Sequence, residues 1–239
     1  MRSWFLAGGM LLFLATGQAA ASDSLSDIQK ELNQIFRGGK VDEEKAVSVM
    51  DRCLALALEN EEEAFDALSI VPQIASRVRA PKALELRDEA VDKLIEKYVD
   101  DERLAEFVFQ SFMRVHADDR TKVREWVKEI IDGSTVEANK VACLFAQASM
   151  IKNSEEELSR AEREEAAKIF RNILDKHAEL SSPYGATYGD MAKGELFELE
   201  NLAIGATAPE IEGNDLAGVP FKLSDYRGKV VVLDFWGNW

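Results

Sequence analysis

Lys229-Val230-Val231-Val232-Leu233-Asp234-Phe235-Trp236-Gly237-Asn238-Trp239 forms the C-terminal stretch, and it decides how that part of the chain folds. Three β-branched residues, a leucine and two aromatics in near-unbroken succession predict a strand buried on both faces, as inside a parallel or mixed sheet. Asp234 interrupts the run. A carboxylate facing an apolar core is costly to ionise, so it would keep its proton to a higher pH than usual, which suits proton transfer; at a frayed, solvated strand end it is an ordinary surface acid.

Just upstream, from Leu202, the composition turns to Gly205, Pro209, Gly213, Gly218, Pro220 and Gly228, with a hairpin turn expected over 213–218. This change places a domain boundary at 199–202, separating residues 201–239 from residues 22–200.

Residues 25–199 read as helix after helix. Ser24 is positioned to cap a first helix whose apolar stripe is Leu25, Ile28, Leu32 and Ile35, with Gly38-Gly39 ending it. A second runs from Asp42 through Val47, Met50, Leu54 and Leu58 into an acidic patch at 59–63. Pro72 and Pro81 punctuate the next stretch, and Pro81 is placed to open a helix carrying Leu84, Val91, Leu94 and Ile95. Further helical segments centre on 104–115, 123–131, 136–151, 158–180 and 186–199, with Ser134 or Thr135 as a natural cap. The fold class is therefore mainly α: a solenoid-like array of paired helices or an irregular bundle, no fixed-period repeat being visible, followed by a small β region.

Hydrophobic residues make up 46% of the chain, enough for a real core, and the net charge of −15 comes without a basic cluster. Nucleic acid is excluded as a partner on that charge, since nothing is placed to neutralise phosphates. At the N-terminus, Met1-Arg2-Ser3, an apolar run over 4–15 and small residues at Ala19 and Ala21 describe a Sec signal peptide over 1–21, cleaved after Ala21. An uncleaved anchor is the alternative. No later segment is apolar for long enough to span a membrane, so an exported, periplasmic or cell-envelope location is expected.

Cys53 and Cys143 are the only cysteines. Both lie in apolar helical patterns and read as buried small hydrophobes; a disulfide between them is the alternative in an oxidising compartment. Neither has a CxxC partner to make it a nucleophile. His116 and His177, far apart and near helix ends, read as surface or capping residues. No metal site and no cofactor is expected.

Ile204-Gly205-Ala206-Thr207-Ala208-Pro209, the turn over 213–218, Phe221-Lys222-Leu223-Ser224-Asp225-Tyr226-Arg227-Gly228-Lys229 and the run over 230–239 resemble, in that order, the opening of the redoxin family, which includes peroxiredoxins and exported thiol-disulfide oxidoreductases of thioredoxin-like fold. The resemblance implies that residues 201–239 supply the first β-hairpin and core strand of an α/β thioredoxin-like domain. It matches Asp234 to the buried aspartate that exchanges a proton with the second cysteine, and Trp236 and Trp239 to the aromatics flanking the Trp-Cys-Gly-Pro-Cys motif. The nucleophile itself is absent after Trp239, so the chain as it stands is expected to be inactive.

Because the missing residue is the one where the family has its cysteine, the expectation is a reading frame that continues through an in-frame UGA decoded as selenocysteine. A nonsense mutation and a fragment are the alternatives. The resemblance and the helical region between them imply two functions. One is an exported oxidoreductase acting on a protein thiol or disulfide client, or on peroxide. The other is a helical protein-binding module with a vestigial redoxin segment.

Overall fold

In the computed structural model, residues 24–37, 41–113, 120–154 and 158–237 are described. Among them the chain is mainly helical with one small antiparallel sheet, as the sequence predicts. The helices are α1 (Leu25–Phe36), α2 (Glu43–Glu59), α3 (Ala64–Ala75), α4 (Pro81–Tyr98), α5 (Arg103–Ser111), α6 (Arg120–Gly133), α7 (Glu137–Lys152), α8 (Arg160–His177) and α9 (Tyr188–Asn201). The strands are β1 (Glu212–Asn214) and β2 (Pro220–Lys222). Two compact units meet in the sequence between Leu94 and Ile95, within α4.

In the first unit α1 and α3 both pack on α2. Ser24 caps α1 by accepting from the Asp27 N–H, and Asp42 caps α2 by accepting from the Lys45 N–H, each satisfying an orphan amide of a first turn. The expected stripe of α2 is partly displaced: Val49, Leu56 and Ala57 are buried, whereas Leu58 is 76% exposed. Pro72 does not separate elements but lies inside α3. The fourth residue before it is Leu68, whose carbonyl loses its usual helical donor, a loss tolerated one turn from the helix end. Within the acidic patch, Glu63 is put to structural use: its carboxylate accepts from the Leu25 N–H at 3.2 Å and from the Asn60 side-chain amide at 3.2 Å.

In the second unit α7 packs against α5, α6, α8 and α9, and α8 against α9. α7 is buried on nearly every side, from Asn139 and Val141 through Cys143 and Phe145 to Ile151, as a central helix must be. Phe145 is the hub of its aromatic core. Its ring centroid lies 5.7 Å from Phe109, 5.4 Å from Phe170 and 6.1 Å from Tyr188, joining α5, α7, α8 and α9. Lys152, at the end of α7, is gripped by two carboxylates of α9, Glu195 at 2.5 Å and Glu198. Burial works against that ammonium, but the two carboxylates prevail and its pKa is raised.

The turn from α8 to α9 brings backbones into close approach. The Gly189 N–H donates to the Ala178 carbonyl at 3.0 Å, and a side chain at Gly189 would begin 2.7 Å from that oxygen.

At the α7 N-terminus the Ser134 hydroxyl accepts from the Val136 N–H at 3.1 Å, but neither Ser134 nor Thr135, the expected caps, occupies the cap position itself. The N-cap position is Val136, and the organising group is Asp100. Its carboxylate accepts from the Thr135 N–H at 2.5 Å, the Thr135 hydroxyl at 2.9 Å and the Ser134 hydroxyl at 3.3 Å. The buried Asn139 amide then donates to the Val99 and Asp101 carbonyls, both at 3.0 Å, tying the α4–α5 turn to α7.

The bonds from Thr135 hold the Asp100 carboxyl below the usual carboxylate range. A group whose folded pKa is depressed adds stability above its unfolded value of about 3.9 and loses it as pH falls through the folded value. Asp100→Ala should therefore melt at a lower temperature than the parent at pH 7, with the gap closing at pH 3. Thermal unfolding followed by circular dichroism at both pH values checks this; a gap that does not change with pH would remove Asp100 ionisation from the account.

Candidate functional site

β1 and β2 pair with Glu212 opposite Lys222, Gly213 opposite Phe221 and Asn214 opposite Pro220. Asp215 builds the connecting turn: its carboxylate accepts from the Ala217 and Val219 N–H groups, both at 2.8 Å, while Gly218 takes the left-handed conformation (φ 81°) that closes the loop. The hairpin expected over 213–218 is thus present.

Lys222 ends β2 and leads into a 3-10 turn, Leu223–Tyr226, fastened by Asp225 accepting from the Lys222 N–H at 2.9 Å. Glu210 reaches across to accept from the Ser224 N–H at 2.9 Å, and hydrogen bonding from the Ser224 side chain and then its backbone holds the Glu210 carboxyl below the usual range. Hydrogen bonds to backbone therefore organise residues 210–226 even though most of their side chains are exposed.

The run over 230–236 departs from the sequence expectation. It is assigned to no strand, and Val230 (97%), Val232 (88%), Phe235 (81%) and Trp236 (83%) are exposed rather than buried on two faces. A strand is stable only with a partner to take its N–H and C=O groups, and β1 and β2 are paired with each other. Val231 and Leu233, which alternate with Val230 and Val232, are less exposed and line a hollow of about 280 Å³ with Thr207, Leu223 and Tyr226. Over 230–233 the alternation of an extended chain is present without a ladder.

Asp234 is exposed in this chain. Trp236 is exposed beside it, and Trp239 lies outside the described residues, as do the signal-peptide stretch and His116. Cys53 on α2 and Cys143 on α7 are both fully buried, each within its own unit, and no disulfide joins them. Burial pushes the Cys143 thiol up, and it also pushes up the Tyr188 phenol, which the neighbouring Cys143 raises further. That is opposite to the activation a redox nucleophile needs. His177 ends α8 with Nδ1 2.7 Å from the Glu137 carboxylate, a structural tie between α8 and α7.

One surface feature is not visible in the sequence. Leu32 and Phe36 of α1 and Ile70 and Ile74 of α3 form the apolar lining of a groove of about 420 Å³, with Arg37 and Arg77 also lining it. The Arg77 guanidinium lies 4.9 Å over the Phe36 ring. The nearest signal was Phe36, a large apolar residue outside the stripe of Leu25, Ile28, Leu32 and Ile35.

No protein-family model matches the chain, and no solved structure matches it. Curated relatives match in part. Over 38 residues, 16% of the chain, it is 55% identical to the thiol-disulfide oxidoreductase ResA of Geobacillus kaustophilus, covering 22% of that protein. The corresponding protein of Geobacillus thermodenitrificans is 53% identical over the same length. That of Bacillus thuringiensis subsp. konkukian is 38% identical over 55 residues, 23% of the chain and 32% of that protein. The chain thus spans between about a fifth and a third of the length of these relatives, and it contains a region similar to thiol-disulfide oxidoreductases. Among the described residues no helix is long and apolar enough to cross a membrane.

Proposed function

We propose that residues 201–239 are the opening part of a thioredoxin-like thiol-disulfide oxidoreductase domain, carried by an exported protein whose helical residues 22–200 hold the client. One observation carries the reading: the identity of 55% over 38 residues to a thiol-disulfide oxidoreductase, a length that fits the segment from Leu202 onward. The organised hairpin and 3-10 turn support it, since they leave an extended apolar run ready to enter a larger sheet.

In the complete domain the run over 230–236 gains strand neighbours, and Asp234 becomes enclosed and able to hold a proton. A thiolate following Trp239 attacks a client disulfide, one S–S bond breaking as a mixed disulfide forms. The second thiol gives its proton to Asp234 and displaces the client, which leaves as a dithiol while the domain is oxidised. A selenol in the first position performs the same attack. The cysteines of residues 22–239 take no part, both being buried in helices.

The test is to read the coding DNA past the Trp239 codon and weigh the native protein. The expected result is an in-frame cysteine or UGA codon followed by Gly-Pro-Cys and a thioredoxin remainder, with a peptide spanning the junction. A Pro-x-x-x-Thr-x-x-Cys setting would point to peroxide as substrate instead. A frame that closes with no redoxin remainder, in a protein whose native mass stops at Trp239, overturns the oxidoreductase reading and leaves the helical region as a binding module. The α1–α3 groove is the observation that favours that second reading.

A further inference from the structure

We propose that the groove between α1 and α3 docks a peptide segment of a client protein, one that presents large apolar side chains along the groove and a carboxylate at its arginine end. The inference rests on the reading that residues 22–200 hold a client, and it names the surface and the chemistry it selects.

The groove is of ligand-site size, about 420 Å³. Leu32, Phe36 and Ile70 are only partly covered while Ile74 is buried, so apolar area remains for a ligand to remove from water. Charge supplies the second element. The chain has 44 acidic and 29 basic residues, and cations such as Lys30, Lys45 and Arg52 stand within ion-pair reach of carboxylates. Arg37 and Arg77 do not: among the described residues neither has a carboxylate within that reach. Both sit at one end of the groove, Arg37 as the C-cap of α1 and Arg77 just beyond α3.

The cation–π contact with Phe36 places the Arg77 guanidinium over the apolar lining, where its N–H groups can meet an acceptor. A planar fork so presented matches a carboxylate in two-point geometry. An anionic membrane would meet the same arginines. A concave groove in a chain of net charge −15 favours a single acidic side chain or chain end over an extended negative surface, which the rest of the protein repels.

Fluorescence anisotropy tests this with the full chain and a labelled peptide of about twelve residues, leucines at helical spacing and two glutamates at a free C-terminus. The comparison peptide has glutamines and an amide there. The acidic peptide should bind about tenfold more tightly, the size of one charge-assisted hydrogen bond, and added salt should narrow the difference. The double variant Arg37→Gln/Arg77→Gln should abolish the discrimination, and Arg79→Gln, exposed and outside the groove, should keep it. If the double variant fails to fold, Arg77→Lys, which keeps the charge but loses the fork, should reduce it. Equal affinity for both peptides, discrimination that survives loss of both arginines, or retention on vesicles of anionic phospholipid with no peptide preference each overturns the proposal. So does a double variant that melts earlier yet discriminates as before, which would mean that the arginines serve only the helix ends.

Failure here and failure of the oxidoreductase reading are separable. Peptide discrimination needs no thiol, and the coding sequence beyond Trp239 says nothing of the groove.

Discussion

Phe145→Ala should destabilise the second unit by about 3–5 kcal/mol, the range for deleting a buried aromatic side chain. Phe145 is 1% exposed and touches one ring from each of three other helices, Phe109, Phe170 and Tyr188. These neighbours cannot collapse onto the vacancy together, because each is pinned on its own helix against α7. The loss is therefore both the transfer free energy of the ring and an unfilled cavity. Chemical denaturation followed by circular dichroism measures it, and Phe145→Leu, which keeps much of the volume, should cost markedly less. A loss under about 1 kcal/mol for the alanine variant would mean that the cluster repacks and that Phe145 is not its hub.

A substitution that adds a single carbon should produce the other large effect. At Gly189 a Cβ would lie 2.7 Å from the Ala178 carbonyl oxygen and 2.9 Å from both Cα and Cβ of Ala178. Two of those three atoms are backbone, so relief requires the α8 and α9 ends to separate, which also stretches the hydrogen bond from Gly189 to Ala178. Gly189→Ala should lower stability by about 3 kcal/mol, the upper end of overpacking costs.

The same change at Gly194, in the same helix but with nothing within 4 Å of the added carbon, should be neutral or stabilising by up to about 1 kcal/mol through lost chain entropy in the unfolded state. Thermal or denaturant unfolding of the two variants side by side separates close approach from helix propensity. Two variants of equal stability would show that α8 and α9 tolerate a wider spacing.

Local rules carried the helical region. Ser24 and Asp42 cap the helices they precede, and Pro81 opens α4, because capping and proline geometry are settled within a few residues. The rules failed where a distant group decided the outcome. Val136 takes the cap position of α7, its N–H donating to the Ser134 hydroxyl, while Asp100, 35 residues from Thr135, holds both Ser134 and Thr135 in place. Pro72 stays within α3 because the packing of Phe65, Leu68 and Val71 outweighs one missing backbone bond near a helix end.

The candidate site divides in the same way. The hairpin and its turn are local and were legible. The exposure of the run over 230–236 was not, since propensity for a strand says nothing of whether a neighbouring strand is there to receive it. The α1–α3 groove was invisible for a further reason: its two halves come from separate helices with α2 between them in the chain, and no spacing rule joins them.

The burial of the two thiols turns the protein into its own unfolding gauge. Cys53 belongs to the first unit and Cys143 to the second, and each is sealed from solvent in the folded state. An alkylating reagent therefore marks a unit only during the moments when that unit opens. Peptide mapping after a timed pulse reads the opening of the two halves separately, in one tube, without any engineered label.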